Sequence, residues 1–176
     1  MDFEQGITPG DIEKGIVNVV VEIPAGSVNK IEWNRDEEIM QLDRVEALSE
    51  PANYGFISQT LNADGDELDV IIINDRPLPT ETTLKARVIG VMKFEDEGIT
   101  DDKIIVVPED AKGIYKDINS IDDIPKSKIN QIIYHFSHSK DFAGSNLTII
   151  KEWGGKTEAR QVIRRAVKAW NESQKD

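Results

Sequence analysis

The chain has 176 residues, no cysteine and no internal repeat, which is enough for one domain, 1–176, around a proper core; it excludes disulfide scaffolds and thiolate metal sites. A formal charge of −12 repels nucleic acid and anionic membranes, so neither is expected as a partner, and an anionic ligand must be met by a local basic cluster or by bound metal. No apolar run approaches the roughly 18 residues of a membrane span, and Met1-Asp2-Phe3-Glu4-Gln5 lacks the basic start and apolar stretch of a signal peptide, so a cytoplasmic protein is expected.

In chain order, the pattern predicts short strands over 16–23, 30–34, 38–43, 55–60, 68–73, 84–94 and 103–107. Breakers such as Pro24-Ala25-Gly26, Asn62-Ala63-Asp64-Gly65 and Pro77-Leu78-Pro79 separate them. In the first strand Val17, Val19, Val21 and Ile23 share one face, so Glu22 interrupts an otherwise apolar segment from the other face. In the second, Lys30 and Glu32 stand side by side, with Ile31 and Trp33 opposite; a salt-bridged solvent face is the plainer reading of that pair. Arg44 follows Asp43 at a strand end and reads equally as an ordinary surface cation. Tyr54, between Asn53 and Gly55, is either a turn aromatic or a phenol that reaches a phosphate.

The run Asp64-Gly65-Asp66-Glu67-Leu68-Asp69, leading straight into Val70-Ile71-Ile72-Ile73, crowds four carboxylates onto one turn and the root of one buried strand. Two unit charges about 4 Å apart repel by roughly 4 kcal/mol at the effective dielectric of a protein cleft. Divalent cations are the usual remedy. With only His135 and His138 available as imidazoles, carboxylate oxygens point to Mg²⁺, Mn²⁺ or Ca²⁺ rather than zinc. An EF-hand fails on register, because Leu68 stands fifth and Asp69 sixth where an oxygen ligand and glycine are needed. The plainer reading is a solvated acidic hairpin turn. A second acidic cluster, Glu95-Asp96-Glu97 and Asp101-Asp102, precedes Lys103; taken alone it reads more plainly as a charged surface loop, although Asp101 and Lys103, two apart, point the same way if a strand begins there.

Beyond residue 125 the period changes. Ile129, Ile132, Ile133 and Phe136 follow helical spacing, with Pro125 suited to the first turn, and Lys140 comes just after. His135 and His138, three apart, have no third ligand nearby, so packing or a subunit contact is the expected role. A second helix is predicted over 157–173, its apolar stripe running through Ala159, Val162, Ile163, Ala166, Val167 and Trp170, with Thr157 as the N-cap. Many short strands followed by two helices predict an α+β fold, a small closed antiparallel barrel with helices outside and a site at its mouth.

Several of these segments together resemble the soluble family I inorganic pyrophosphatases over nearly the whole chain. They are Val21-Glu22-Ile23-Pro24, Lys30-x-Glu32, Asp43-Arg44, Pro51-x-Asn53-Tyr54-Gly55-Phe56, Asp64-Gly65-Asp66-x-x-Asp69-Val70, Gly90-Val91-Met92-Lys93, Asp96-Glu97, Asp101-x-Lys103 and Lys140-Asp141. The resemblance implies a five-stranded antiparallel β-barrel of the OB type with flanking α-helices. It implies Mg²⁺ as cofactor, with Mn²⁺ able to replace it, and hydrolysis of inorganic diphosphate to two orthophosphates. By the same resemblance Asp64, Asp69, Asp96 and Asp101 are metal residues, and Asp66 assists deprotonation of the attacking water. Glu22 and Glu32 are carboxylates at the site's edge, and Lys30, Arg44, Tyr54, Lys103 and Lys140 contact phosphate. A homo-oligomer, a hexamer in bacterial relatives, is implied too.

This chain departs from the family pattern at two places: Glu50 precedes Pro51 where a tyrosine is usual, and Ser139 precedes Lys140 where another is usual. Those departures keep open an alternative, a catalytically weakened homologue that binds metal and phosphate. A nucleotide-directed phosphoanhydride hydrolase is opposed by the lack of a P-loop, and a nucleic-acid module by the charge and by 6% aromatic content.

Overall fold

A computed structural model of the protein describes residue 3 and the spans 6–144 and 147–175; apart from Phe3, the N-terminal run read above for a signal peptide lies outside the described residues. Its strands are β1 (Gly10–Asp11), β2 (Ile16–Ile23), β3 (Asn29–Asn34), β4 (Ile39–Val45), β5 (Asn53–Ile57), β6 (Leu68–Ile72), β7 (Thr83–Asp96), β8 (Ile99–Thr100), β9 (Lys103–Pro108) and β10 (Thr148–Gly154). Its helices are α1 (Lys126–His138) and α2 (Lys156–Ser173). The Thr157 cap is corrected: α2 starts from Gly155 without a side-chain cap, and Thr157 lies inside the first turn.

Five strands close on themselves in the order β2-β5-β6-β9-β7, with β7 pairing back to β2. The five-stranded barrel and its two flanking helices are as expected, but one of the five pairings, β6 with β9, is parallel. Parity requires this. In a closed ring whose neighbours all run oppositely the directions must alternate, and five strands cannot alternate around a ring. The parallel seam falls where the chain leaves β6, crosses to β7, and returns through the β8 turn as β9.

Alternation along the strands sorts the apolar side chains into separate cores. One draws Val19, Ile57, Val70, Val88 and Ile104 from the five barrel strands and is completed by Ala159, Val162, Ile163 and Ala166 of α2, so it fills the barrel. Another sets Ile71, Ile89 and Ile105, on the outward faces, against Ile132 and Phe136 of α1. A small third cluster, Val20, Phe56, Trp33 and Phe3, lies under the β3–β4 hairpin, which forms its own two-stranded sheet.

Register then decides where the polar side chains go. Phe56 pairs with Asp69 and Tyr54 with Ile71, so Asp69 points outward while its neighbour Val70 points into the barrel. Lys103, two residues before outward-facing Ile105, shares that outer face. Most of the candidate residues therefore collect on the outside of the barrel wall, beside the β3–β4 hairpin, and not in the barrel's own mouth.

Candidate active site

The Asp64-Gly65-Asp66 segment is a tight turn. The Asn62 N–H donates to the Asp66 carbonyl at 2.7 Å, Gly65 takes φ +97°, which favours glycine, and the Asp66 N–H donates to Asp64 Oδ1 at 3.1 Å. Leu61 N–H, just before the turn, donates to the Ala166 carbonyl of α2 at 3.0 Å, and Leu68 N–H donates to the Thr60 hydroxyl at 2.8 Å. A helix and a strand root thus hold a short acidic loop from both sides.

This turn, the starts of β6 and β9, the ends of β2 and β7 and the strand β3 border a cavity of about 260 Å³. Its lining includes Glu22, Lys30, Glu32, Tyr54, Asp64 and Asp66, together with Asp69, Asp96, Asp101 and Lys103. Lys140 is brought in through Asp96, whose Oδ2 accepts from its ammonium. Arg44 is not on the cavity wall. It bonds Asp43 at 2.5 Å and Glu46 at 2.7 Å on the hairpin and is 47% exposed in its side chain.

Within the cavity, cations and carboxylates interlock. Lys103, with only 3% of its side chain exposed, donates to Asp69 Oδ2 at 2.5 Å and to Asp101 Oδ2 at 2.6 Å. The Tyr54 hydroxyl donates to the same Asp69 oxygen at 2.6 Å, and Lys30 bonds Glu32 at 2.5 Å. Glu22, 8% exposed, accepts from the Trp33 N–H at 2.9 Å and so ties the end of β2 to the hairpin.

The electrostatics follow from this crowding. Burial first, then the charge of Asp69, push the Glu22 carboxyl well above its usual range. Asp66 is raised by burial and by Asp64, Glu67 and Asp69. Asp101 is pushed up to about 7 by burial, with Asp69 and Asp64 adding to it against the opposing pull of Lys103. Burial works against the Lys103 ammonium, but Asp69 and Asp101 outweigh it and hold its pKa above the ordinary lysine value.

A divalent cation fits this donor set. Oxygen donors predominate, as Mg²⁺ requires, and two of them, Asp96 Oδ1 and Asp101 Oδ1, are buried without a hydrogen-bond partner. Among the described residues no three carboxylate or imidazole groups form a ready-made metal cage; the cation between Asp69 and Asp101 in this structure is the Lys103 ammonium.

Sequence reasoning missed Glu67 as a site residue. It is buried, lines the cavity and bonds Arg35 at 2.9 Å, joining the tip of the β3–β4 hairpin to the acidic turn. The signal was its position two residues before Asp69, which puts both side chains on one face of the strand root. Glu50 turns away to α1, where its Oε1 lies 3.2 Å from His135 Nε2. His138 instead bonds the Tyr134 carbonyl at 2.9 Å and stacks on the Tyr134 ring, so the two histidines serve different partners.

An outward bay on a small closed barrel, lined by alternating carboxylates and ammonium groups, is a site for a polyanion together with cations. The inorganic pyrophosphatase family model matches residues 19–171. The chain is 51% identical over 172 residues to the inorganic pyrophosphatase of Neisseria meningitidis serogroup B, covering 97% of each. It is 51% identical over 173 residues to that of Haemophilus influenzae, covering 97% of this chain and 98% of the relative. The crystal structure of an inorganic pyrophosphatase from Neisseria gonorrhoeae superposes with a TM-score of 0.94 at 50% identity, covering 97% of this chain and 99% of that one. The chain belongs to the inorganic pyrophosphatase family.

Proposed function

We propose that the protein is an inorganic diphosphatase, a hydrolase that splits diphosphate into two orthophosphates with Mg²⁺ as cofactor and Mn²⁺ as a workable substitute. The observation that carries this reading is the interlocked cluster around Lys103. Every ammonium group of the cavity is held by a carboxylate, and Asp96 and Asp101 still have an unpartnered oxygen each. In such a site the carboxylates of Asp64, Asp69, Asp96 and Asp101 would hold metal, which would leave Lys30, Lys103 and Lys140 available to phosphate oxygens. Tyr54 adds a neutral donor, and Arg44 reaches phosphate by leaving Asp43 and Glu46. Bound Mg²⁺ supplies Lewis acidity toward phosphoryl oxygens and attacking water.

Asp66 is the base. Its carboxylate sits on the exposed turn at the cavity rim, and burial together with Asp64, Glu67 and Asp69 raises its pKa, which makes it a better proton acceptor than an ordinary aspartate. Glu22 and Glu32 orient water and Lys30 at the edge. Since phosphoryl transfer needs positioning and neutralisation of charge more than covalent chemistry, this set is sufficient.

The weakened-homologue alternative loses its footing at Glu50, whose carboxylate faces His135 and does not line the cavity. We further propose a single-domain, cytoplasmic homo-oligomer, a hexamer by family resemblance, without nucleic-acid or membrane partners. Exposed Leu42, Val45 and Tyr134 are consistent with subunit contacts, and light scattering on the purified chain tests that state. The activity is tested by phosphate release from diphosphate with Mg²⁺, which chelation should abolish.

A further inference from the structure

We propose that Asp102, braced by Lys93, is a positioning residue: it fixes the junction between the end of β7 and the start of β9 and so sets where Asp96, Asp101 and Lys103 stand in the cavity. The inference rests on the metal-dependent reading of that site. Strand alternation puts Asp101 and Lys103 on the cavity side and Asp102 on the other, where it is 5% exposed and borders a small space lined by Val162 and Ala166 of α2. Its Oδ1 accepts from the Phe94 N–H at 3.2 Å, and its Oδ2 accepts from the Lys93 ammonium at 2.9 Å.

Phe94 is therefore tied twice, because its carbonyl also accepts from the Asp101 N–H at 2.9 Å. Between these anchors the chain turns back through β8, with Glu97 at φ +50° and Gly98 at φ +82°, a two-residue hairpin turn. Asp96 lies on one arm of this turn and Asp101 follows the other. Lys103 is opposite Met92, one residue from Lys93. A buried ion pair is weak evidence of stabilisation, since apolar residues of similar volume do as well. What a carboxylate adds here is direction: two hydrogen bonds that lock the base of the hairpin from behind the site, as outer partners lock metal ligands elsewhere.

The test measures Mg²⁺ affinity by calorimetry, together with kcat, KM and thermal stability, in Asp102→Ala, Asp102→Asn and Asp102→Glu. Asp102→Ala is expected to weaken metal binding and lower kcat by about 10- to 100-fold, the range for partners behind a metal ligand. Asp102→Asn, which keeps an acceptor for the Phe94 N–H in place, is expected to recover most of both. Asp102→Glu, which keeps the charge but displaces it by one methylene, is expected to stay impaired. A folded Asp102→Ala with unchanged affinity and kcat, losing only stability, would overturn the proposal. If Asp102→Ala does not fold, the other two variants decide: equal behaviour, or the glutamate outperforming the asparagine, overturns it. If the wild type binds Mg²⁺ yet does not hydrolyse diphosphate, the function assigned above fails, and positioning is judged on the calorimetry alone.

Discussion

Asp69 is where the charges of the cavity meet, since one of its oxygens accepts from both Tyr54 and Lys103 while its backbone belongs to the buried strand β6. Asp66 stands exposed on the turn before it, its backbone N–H donating to Asp64 Oδ1 at 3.1 Å. Separate consequences follow for the two aspartates. Asp66→Asn is expected to lower the turnover number by about 10² or more, the range for a general base, with the tightest Mg²⁺ site retained. Asp69→Asn is expected to damage both turnover and metal affinity. Calorimetry and initial rates check this, and the roles are wrong if Asp66→Asn loses the tight metal while Asp69→Asn keeps it. Glu50 makes a different case. Truncating it to alanine leaves buried His135 without its Nε2 partner, an expected stability loss of about 1–3 kcal/mol, with the turnover number unchanged. Urea unfolding alongside rate measurements checks it; a large fall in rate at wild-type stability would put Glu50 in the active site.

At the scale of elements, the site depends on how closely β2 and β5 approach. A Cβ on Gly55 would stand 1.9 Å from the Val20 carbonyl oxygen, a backbone atom that cannot swing aside. Gly55→Ala is expected to cost at least the roughly 1–3 kcal/mol of an overpacked core and to displace Tyr54 and Phe56 on either side, lowering the unfolding midpoint and the activity together. An unchanged midpoint would mean that the two strands are not pressed together as described. Much of the strand pattern was legible because β2, β6 and β9 carry alternating or continuous apolar runs bounded by turn residues. The strand β10 was not predicted: half-exposed Ile149 and Ile150 carry no clear alternation, and the strand exists through pairing with the far half of β7. Its backbone is accommodated at Gly90, where a Cβ would meet the Gly154 carbonyl at 2.5 Å. Long-range pairing of this kind leaves no local signal.

For the whole molecule, a chain of net charge −12 that handles a polyanion must invert its potential locally. The twelve residues assigned from the sequence illustrate how far a motif carries. Ten of them line one cavity, those on strands because register fixes their faces and Asp64 and Asp66 because the Gly65 turn sets them before β6, and Lys140 joins through Asp96. Arg44, whose place depends on side-chain pairing within the hairpin, stands apart, and the Arg35–Glu67 bond that holds that hairpin to the acidic turn was invisible in a single strand's pattern. The parallel seam was equally absent from local patterns, although the parity of five closed strands demands it. One assay tests the central claim most directly: orthophosphate release from diphosphate and, separately, from ATP, with Mg²⁺ present and then chelated. The account expects rapid release from diphosphate, far slower release from ATP, and none after chelation. Equal turnover of the two substrates, or activity that survives thorough chelation, would contradict it.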